Sequence, residues 1–463
     1  MNTDKHRSTQ IKLSWVYPCL SVSIRVHLWF PVLLVTCLLT LSLPVVAQST
    51  YQLTKQDQAF LEDLERRSFR YFQEQTDPKT GLVLDRARTD ATIHDEGHRN
   101  TASIAATGFG LTAWCIAAER GWVSRKEARQ MVFNSLKFFA DTAKHDHGWF
   151  WHWMDWRNGD RVWKSEVSSI DTALLLGGVL TARQYFHADK EIVRLATKIY
   201  ERVDFAWMLN GHPHLLSHGL REETGFIKHR WDHYSEHASL YLLAIGSPTH
   251  AISPESWKAW KRDWVTYGQF KYLSGTAPLF IHQYPHAWVD FRNRREADAP
   301  NVDYFENSAI ATRAHRQFCL DLDKEFPSYS ANIWGITASD TPKGYKAWGG
   351  PPRHAAIDGS VVPCAAGGSL MLVPDITVPA LREMKEKFGE KIYGRYGFAD
   401  AFNPTTGWVN PDVIGIDVGV TLLSAENLRS EFVWRWFMRN PELPRAMKLI
   451  SLLPASRKLA IDH

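Results

Sequence analysis

The alternation of apolar and polar positions along the chain predicts a protein built mainly from helices. Residues 57–75, 126–140 and 191–207 place apolar side chains on one face at helical spacing and polar side chains on the other. In the third of these segments, Ile192, Leu195 and Ile199 share one face. We therefore expect three amphipathic helices with one buried side each.

A second kind of segment is apolar nearly all round and rich in Ala, Gly and Ser. A helix with this pattern is buried on all sides, and its small residues let neighbouring helices approach closely. Six segments show the pattern: 108–118, 170–186, 234–247, 308–322, 362–373 and 416–428.

The two kinds of helix alternate along the chain, which predicts an all-α fold, an (α/α)6 barrel (toroid) of six inner and several outer helices. Long Trp-rich segments would form its loops, with a few short strands near 149–153 and 278–283. A (β/α)8 barrel is the rival architecture, but it needs eight short Val- and Ile-rich strands that the sequence does not offer.

The amino-terminal 47 residues have the pattern of a secretory signal peptide. Basic residues precede the apolar run FPVLLVTCLLTLSLPVVA, which ends in small residues before Gln48. A retained membrane anchor is the alternative, but the run is short and contains Pro31 and Pro44. We expect residues 1–47 to be removed, residues 48–463 to form a single domain, and the protein to be periplasmic or secreted.

Charge and cysteine content exclude several classes of protein. The chain has 54 Lys and Arg against 50 Asp and Glu, and this balance gives no reason to expect nucleic acid or a membrane surface as partner. Beyond the leader, Cys115, Cys319 and Cys364 lie in separate apolar runs and have no metal-ligand spacing. We expect buried thiols, no metal, no cofactor and a monomer.

Aromatic residues point towards a sugar ligand. The chain contains 20 Trp, and many of them lie in polar stretches such as GWFWHWMDW rather than in the helical runs. A flat apolar ring with a hydrogen-bonding edge suits a pyranose, which presents a C–H face and a rim of hydroxyls.

Acidic residues gather at the predicted beginnings of the inner helices. Because inner helices of such a barrel run in the same direction, these residues would surround one end of a central cavity. The acids are Glu166 and Asp171, Asp232 and Glu236, Asp303 and Glu306, Asp358, and Asp412 and Asp417.

Two carboxyls beside a sugar-binding cavity are the machinery of a glycoside hydrolase, one as proton donor and one as base or nucleophile. The structural alternative is capping, because acids are favoured at helix N-termini and Ser168 with Asp171 fits a capping box. The sequence has no HExxH motif and no GxSxG elbow, which argues against a zinc hydrolase and a serine hydrolase.

Several segments, in order along the chain, resemble the bacterial glucoamylase-like glycoside hydrolase family, which includes secreted endo-β-1,2-glucanases. They are YFQEQTDPKTGLVLDR (71–86), WKSEVSSIDTALLLGGVLTARQYF (163–186), YSEHASLYLLAIGSPTH (234–250), ENSAIATRAHRQFC (306–319), NIWGITASD (332–340), AIDGSVVPCAAGGSL (356–370), YGFADAFNP (396–404) and GIDVGVTLLSAENLR (415–429).

The resemblance implies an (α/α)6 barrel that hydrolyses a neutral β-glucan, most plausibly β-1,2-glucan, by an inverting route with two carboxylates. Glu236 in YSE matches a family position that carries an acid at the cavity, and Glu166 and Asp171 match the S-E-x-S-x-I-D element. Val418 stands where IDQG is common in the family, so a polar side chain of the family pattern is missing there, a departure that concerns the substrate rather than the chemistry.

We expect Glu236 and Asp171 to handle protons, with Glu166 next; the sequence does not say which is acid and which is base. Candidates for contact with the sugar are Trp151, His152, Trp153, Arg161, Trp288, Arg292, Tyr345, Trp348, Trp408 and Asp417. A non-catalytic glycan-binding protein of the same fold, or a relative that transfers glycosyl groups, is the alternative function.

Overall fold

A computed structural model describes residues 51–95 and 97–454, all within one compact unit, Ser49–His463. The predicted signal peptide, residues 1–47, lies outside the described residues. None of the helices in the described part combines the length and the apolar character that a bilayer span requires.

Helices dominate this structure, as the apolar pattern predicted. They are α1 (Lys55–Glu74), α2 (Ile104–Glu119), α3 (Arg125–Asp141), α4 (Ser169–Tyr185), α5 (Lys190–Arg202), α6 (Phe205–Met208), α7 (Ala238–Gly246), α8 (Ser256–Ala259), α9 (Tyr284–Trp288), α10 (Tyr304–Asp321), α11 (Pro363–Gly367), α12 (Pro374–Phe388), α13 (Gly415–Ser430), α14 (Phe432–Phe437) and α15 (Glu442–Leu449).

The strands are short and all pair antiparallel, in two- and three-stranded sheets. They are β1 (Val83–Leu84), β2 (Arg86–Arg88), β3 (Thr101–Ser103), β4 (His145–Asp146), β5 (Trp149–Phe150), β6 (Trp153–Asp155), β7 (Val167–Ser168), β8 (Gly219–Arg221), β9 (Gly225–Phe226), β10 (Trp264–Tyr267), β11 (Phe270–Leu273), β12 (Arg294–Glu296), β13 (Tyr393–Gly394), β14 (Gly397–Phe398), β15 (Asp412–Ile414) and β16 (Leu452–Pro454).

Helix α2 is the clearest of the fully buried helices. Every residue from Ile104 to Ala117 is buried, and α2 packs against α4 and α13. Its contact with α4 depends on glycine, because a Cβ on Gly178 would lie 2.1 Å from the carbonyl oxygen of Gly108. The Ala- and Gly-rich pattern therefore correctly predicted close packing between these two helices.

Three of these helices begin directly at the end of a short strand. β3 leads into α2, β7 into α4 and β15 into α13. Ser103 and Ser168, the last residues of β3 and β7, cap their helices by accepting the backbone N–H groups of Ala106 and Asp171. Strand pairing therefore fixes where the first turns of α2, α4 and α13 lie.

Some expected elements differ from the structure. Helix α7 begins at Ala238 rather than at 234, because the Tyr234 backbone N–H donates to the Lys261 carbonyl instead of entering the helix. The prediction of a strand near 149–153 is confirmed by β5, whereas 278–283 is wrong, since Leu279–His282 forms a 3-10 helix.

The fourth and fifth inner helices were also imperfectly predicted. α10 is not buried all round, because Arg313 on one side forms a two-bond ion pair with Asp375 at 2.8 Å. α11 ends at Gly367, and the side-chain amide of Gln283 donates to the Ala365 carbonyl at 2.8 Å. That side chain lies so close to Gly368 that a Cβ there would be 2.6 Å from Gln283 Oε1.

Candidate active site

The first cluster of the candidate site lies where β7 passes into α4. The imidazole of His152 is within 3.0 Å of Glu166 through Nδ1 and within 3.5 Å of Asp171 through Nε2. Its ring stacks on Trp153, with ring centroids 3.5 Å apart. The Ser168 hydroxyl donates to Asp171 Oδ2 at 2.5 Å. Asp171 therefore both caps α4 and forms part of a charged cluster.

The electrostatics of this cluster favour a cation between two anions. Burial disfavours a charged His152, but the charge of Asp171 and the hydrogen bond with Glu166 outweigh it and raise the pKa of His152. Although burial opposes it, the contact with His152 lowers the pKa of Glu166. Burial dominates at Asp171 and raises the pKa of that carboxyl.

The same three residues are the candidate metal ligands in the described part of the chain. One ligand atom from each of His152, Glu166 and Asp171 lies within 4.8 Å of the others. Each nitrogen of His152 faces a different carboxylate, however, and this is the geometry of a protonated imidazole between two anions.

Glu236 lies just before α7 and is half-buried. The Ser235 hydroxyl donates to its carboxylate. Burial, with the negative charge of Asp171 adding to it, raises the pKa of Glu236. This carboxyl therefore tends to hold its proton towards neutral pH, as a general acid requires.

Asp417, in the first turn of α13, forms a buried acid pair with Asp400. Asp400 Oδ2 accepts the backbone N–H of Asp340 at 2.9 Å and the Asn410 amide at 2.8 Å. Its Oδ1 is buried and finds no donor among the described residues. Burial raises the pKa of Asp417 to about 7, while hydrogen bonds from Asp400 and the Cys364 thiol oppose this rise.

The shared side-chain hydrogen bond means that one proton lies between the two carboxyls, and burial together with the charge of Asp417 raises the pKa of Asp400. Asp417 thus titrates close to neutral pH.

The charges of Glu236 and Asp417 both act on Tyr284, which lies on α9. Its buried phenol has a raised pKa, chiefly from burial and then from the charges of Asp417 and Glu236. Glu236 lies just before α7 and Asp417 lies on α13, far apart in sequence. In the fold, α7 packs on α4, α4 on α2, and α2 on α13. The charges of two carboxyls with raised pKa values therefore act on the same buried tyrosine.

Arg86 lies close to three further carboxylates. Arg86 lies 3.2 Å from Asp85, 2.7 Å from Asp340 and 3.7 Å from Asp412. The register of β2 with β15, in which Arg86 pairs with Ile414, brings these groups to the beginning of α13.

An open groove of about 450 Å³ adjoins this arginine. Its walls include Arg86, His98, Asp340, Tyr345 and Trp408. The groove combines two aromatic side chains with charged hydrogen-bonding groups, which is the composition that sugar recognition needs.

Among the predicted sugar contacts, Tyr345 and Trp408 line the groove, and Trp153 and His152 lie at the carboxylate cluster. Trp288 and Trp348 do not reach it. Both are buried, and their indole N–H groups donate to Thr112 and Ser339 at 3.0 Å. Their aromatic pattern reflects packing in the core, so the expectation of sugar contact is wrong for these two.

Trp151 is also buried, beneath the guanidinium of Arg161 at 4.7 Å. Arg161 itself is occupied by Glu223, at 2.7 and 3.0 Å, and by backbone carbonyls. Burial argues against direct sugar contact by Trp151, whereas the sugar contact of Arg161 stays a prediction.

Arg292 lies at the opposite end of α13. It donates to Glu431 Oε1 at 2.6 Å, and Glu431 directly follows α13. A helix of 16 residues is about 24 Å long, so Asp417 and Arg292 are far apart. The predicted contact of Arg292 with a sugar at the site is therefore wrong.

The remaining acids at helix beginnings behave as structural groups. Asp303 caps α10 by accepting the Glu306 backbone N–H at 3.0 Å. Asp358 is exposed and accepts the Ser360 backbone N–H, and Asp232 pairs with His233 at 2.8 Å. For these acids the capping and pairing alternative describes what the structure contains.

The sequence reasoning missed residues that the structure places at the site. They are Asp85, Arg86, His98, Asp340, Asp400 and Asn410. A usable signal was present, because three of the family-like segments end at or contain these acids: GLVLDR, NIWGITASD and YGFAD.

This chain is similar to a known family model and to solved structures of glucanases. The family model Glycoamylase, described as "Putative glucoamylase", matches residues 228–441. An endo-β-1,2-glucanase structure from Chitinophaga pinensis is 26% identical, with a TM-score of 0.79, over 86% of this chain and 98% of that one. Over residues 228–441 this chain is similar to that glucoamylase family.

Two further proteins similar to this chain come from Parabacteroides distasonis. An exo β-1,2-glucooligosaccharide sophorohydrolase (non-reducing end) is 27% identical over 88% of this chain. A β-1,2-glucanase structure is 25% identical, with a TM-score of 0.76, over 87% of this chain and 61% of that one. The chain spans only 59% of the length of the sophorohydrolase.

Proposed function

We propose that this chain is a glucoamylase-like glycoside hydrolase that cleaves β-1,2-linked glucan. The observation that carries the proposal is the combination of two carboxyls with raised pKa values, Glu236 and Asp417, and a groove whose walls include Tyr345 and Trp408. The relatives from Chitinophaga pinensis and Parabacteroides distasonis, which are named for β-1,2-glucan or its oligosaccharides, support the choice of linkage.

Glu236 is the proton donor in this proposal. A glycosidase acid must be neutral when the glycosidic oxygen leaves, and burial beside Asp171 favours the neutral carboxyl. Its position just before α7 leaves the side chain half-buried, so the carboxyl can reach a bound glucan.

Asp417 is the base that activates water. Its pKa of about 7 gives a carboxylate that both ionises and accepts a proton near neutral pH. An inverting hydrolase needs its two carboxyls about 6.5–9.5 Å apart so that a water fits, and we propose this spacing for Glu236 and Asp417.

Asp171, the sequence-based candidate for the second proton-handling group, is the competing base. We assign it with Glu166 to holding His152, because its two oxygens face Ser168 and His152 at 2.5 and 3.5 Å. The His152 cluster would then bind hydroxyls of the glucan next to the cleaved bond.

The wider arrangement follows from the same proposal. We propose that α2, α4, α7, α10, α11 and α13 close into an (α/α)6 barrel with the acids at one end. The hydrogen bonds from the Trp288 indole to Thr112 and from Thr312 to Ser369 support packing around a common axis. We further propose that residues 1–47 direct a monomeric 48–463 domain to the periplasm or outside the cell.

The proposal is tested by incubating the purified protein with linear β-1,2-glucan and measuring reducing sugar, with product sizes by chromatography and the anomer first formed by NMR. We expect an inverted anomer. We expect Glu236→Gln to lower kcat by about 10²–10⁴-fold, the usual contribution of a general acid.

Glu255→Gln is the matched control, since Glu255 is exposed and directly precedes another helix, α8. Full turnover by Glu236→Gln would contradict the assignment of the acid. Asp417→Asn and Asp171→Asn decide the base: a larger loss of kcat in Asp171→Asn would transfer that role to Asp171.

A further inference from the structure

Trp163 stands apart from most tryptophans in this protein because its side chain is exposed. Among the described residues, Trp163 and Trp264 are the exposed tryptophans, at 46% and 47% of their surface. Exposing an indole costs free energy that burial would recover. The location of Trp163 therefore needs a reason.

The backbone under Trp163 is strained. Trp163 and Lys164 have φ values of +53° and +50°, and the Ser165 N–H donates to the Val162 carbonyl at 3.0 Å. Two successive residues with positive φ form a turn that favours Asn-Gly, and each residue with a side chain costs about 1–2 kcal/mol there. The sequence places its largest side chain at a position where a small residue is preferred.

Arg161 holds this turn in place. Its guanidinium donates to the Lys164 carbonyl at 2.8 Å and to the Ser165 carbonyl at 2.6 Å. The same guanidinium is anchored by Glu222 and Glu223 at 3.0 and 2.7 Å. A strained conformation persists only when its surroundings fix it, and such conformations cluster at functional sites.

The indole of Trp163 is fixed from two sides as well. It meets the edge of Trp153 at a centroid distance of 5.3 Å and the ring of His98 at 5.0 Å. His98 is a wall of the 450 Å³ groove. Trp153 stacks on His152 in the carboxylate cluster. Trp163 thus joins the groove to the cluster.

We propose that Trp163 is a sugar-binding platform, a subsite that stacks one glucosyl unit of the glucan beyond the carboxylates. The chemistry is that of a neutral pyranose, whose C–H face packs on an exposed indole while its hydroxyls meet the polar groups around it. This inference rests on the proposed function and adds a binding residue to it.

Trp264 supplies the matched control. It is equally exposed but lies on the β10–β11 hairpin, with the Lys271 ammonium 5.2 Å from its ring centroid. Neither Trp264 nor Lys271 lines the groove. Removing the Trp264 indole changes the exposed aromatic surface by the same amount without touching the proposed subsite.

The experiment measures binding of β-1,2-glucooligosaccharides by calorimetry in the Glu236→Gln protein, and kcat and KM in the otherwise unchanged enzyme. We expect Trp163→Ala to weaken binding and raise KM about fivefold, the usual range of one aromatic stacking contact. Trp264→Ala should leave both unchanged. Trp163→Asn, which tolerates the turn, should bind as weakly as Trp163→Ala without a lower melting temperature.

Unchanged binding in both Trp163 variants, with normal hydrolysis by the parent enzyme, would overturn the subsite alone. A Trp163→Asn protein that binds normally while Trp163→Ala melts early would also overturn it, since the side chain would then serve the turn. A parent protein that neither binds nor cleaves β-1,2-glucan would overturn the proposed function and the subsite together.

Discussion

Asp400 and Asp417 form a pair in which burial and mutual contact control a single proton. Burial raises the pKa of Asp417 to about 7, and the hydrogen bond from protonated Asp400 opposes that rise. Asp340 and Asp85 add negative charge and raise the pKa of Asp417 further. The acidic limb of the pH–rate profile should therefore report this pair.

Replacing Asp400 tests that control. Asp400→Leu removes the donor to Asp417, so the pKa of Asp417 should rise and the carboxylate should be lost at higher pH. We expect the acidic limb of kcat/KM to move upwards by about one pH unit, equivalent to one hydrogen bond of about 1–1.5 kcal/mol. The measurement is hydrolysis of β-1,2-glucan across pH 4–9.

Asp400→Asn is the control, because its amide still donates to Asp417 and should keep the limb near its original pH. If Asp400→Leu and the parent enzyme show the same acidic limb, Asp417 is not the group whose ionisation limits the reaction.

His152 is the cation between Glu166 and Asp171, at 3.0 and 3.5 Å. Without it two anions would face each other, and the pKa of both carboxyls should rise. We expect His152→Ala to lower kcat/KM at least tenfold near pH 6 and to lose less at pH 8, where both carboxyls ionise. The measurement is kcat/KM for β-1,2-glucan at the two pH values.

His250→Ala serves for comparison, since His250 is 45% exposed and lies 3.8 Å from a single carboxylate, that of Asp204. An equal loss at both pH values in His152→Ala would point to a purely steric role for the imidazole.

Individual site residues were predictable where they are local in sequence. Glu166 and Asp171 lie in one capping segment, and His152 was a candidate sugar contact. Trp288 and Trp348 were misassigned because an indole in a polar stretch has the same sequence pattern whether its N–H meets a sugar or Ser339. Asp400 was missed because the fold, and no local sequence pattern, brings it to its partner Asp417.

At the scale of elements, the contact of α2 with α4 is set by two glycines. A Cβ at Gly108 would lie 2.2 Å from the Leu174 carbonyl oxygen, and one at Gly178 would lie 2.1 Å from the Gly108 carbonyl oxygen. Both clashes involve backbone, which cannot move aside as a flexible side chain can.

Gly178→Ala should therefore push the two helices apart. We expect a loss of about 1–3 kcal/mol in the free energy of unfolding, as for other overpacked cores, measured by thermal and urea denaturation. Activity should fall too, since α4 carries Asp171 in its first turn.

Gly394→Ala is the control, because a Cβ there meets only the Thr89 carbonyl oxygen at 3.6 Å, an ordinary contact. If the Gly178 and Gly394 variants were equally stable, the helices would not depend on this contact for their spacing.

Helical elements were predictable because their apolar spacing is local, whereas the short strands were not. β2 and β15 pair Arg86 with Ile414, and nothing within either segment specifies a partner more than three hundred residues away. The start of α7 was missed for a similar reason, since Lys261 holds Tyr234 out of the helix.

At the scale of the whole described unit, charged groups are divided between the two ends of α13. The first turn holds Asp417, and the last turns hold Glu426 and Arg429. Arg429 pairs with the fully buried Glu65 on α1 and with Glu62 at 2.8 Å. Burial raises the pKa of Glu65, and Arg429 opposes that rise.

Arg429→Met should destabilise the fold without altering the chemistry. Breaking a buried ion pair from one side costs about 3–5 kcal/mol, because Glu65 is left without its cation or must take up a proton. We expect a much lower melting temperature and, at temperatures where the protein stays folded, kcat near that of the parent enzyme.

Arg66→Met provides the comparison, since Arg66 is mostly exposed and pairs with Glu62 within the same helix. It should change stability little. A fall in kcat with unchanged stability in Arg429→Met would mean that the two ends of α13 are coupled.

The placement of the proposed proton-transferring acids at the beginnings of α7 and α13, and of the aromatic residues on the loops, has a consequence for evolution. Tyr345, Trp408 and Trp163 belong to segments outside the regular helices, so they can be exchanged, lengthened or shortened while the proton-transferring groups keep their places. Descendants of one ancestral scaffold could then diverge in the chain length of their products, and loop grafting between relatives would be the laboratory counterpart of that history.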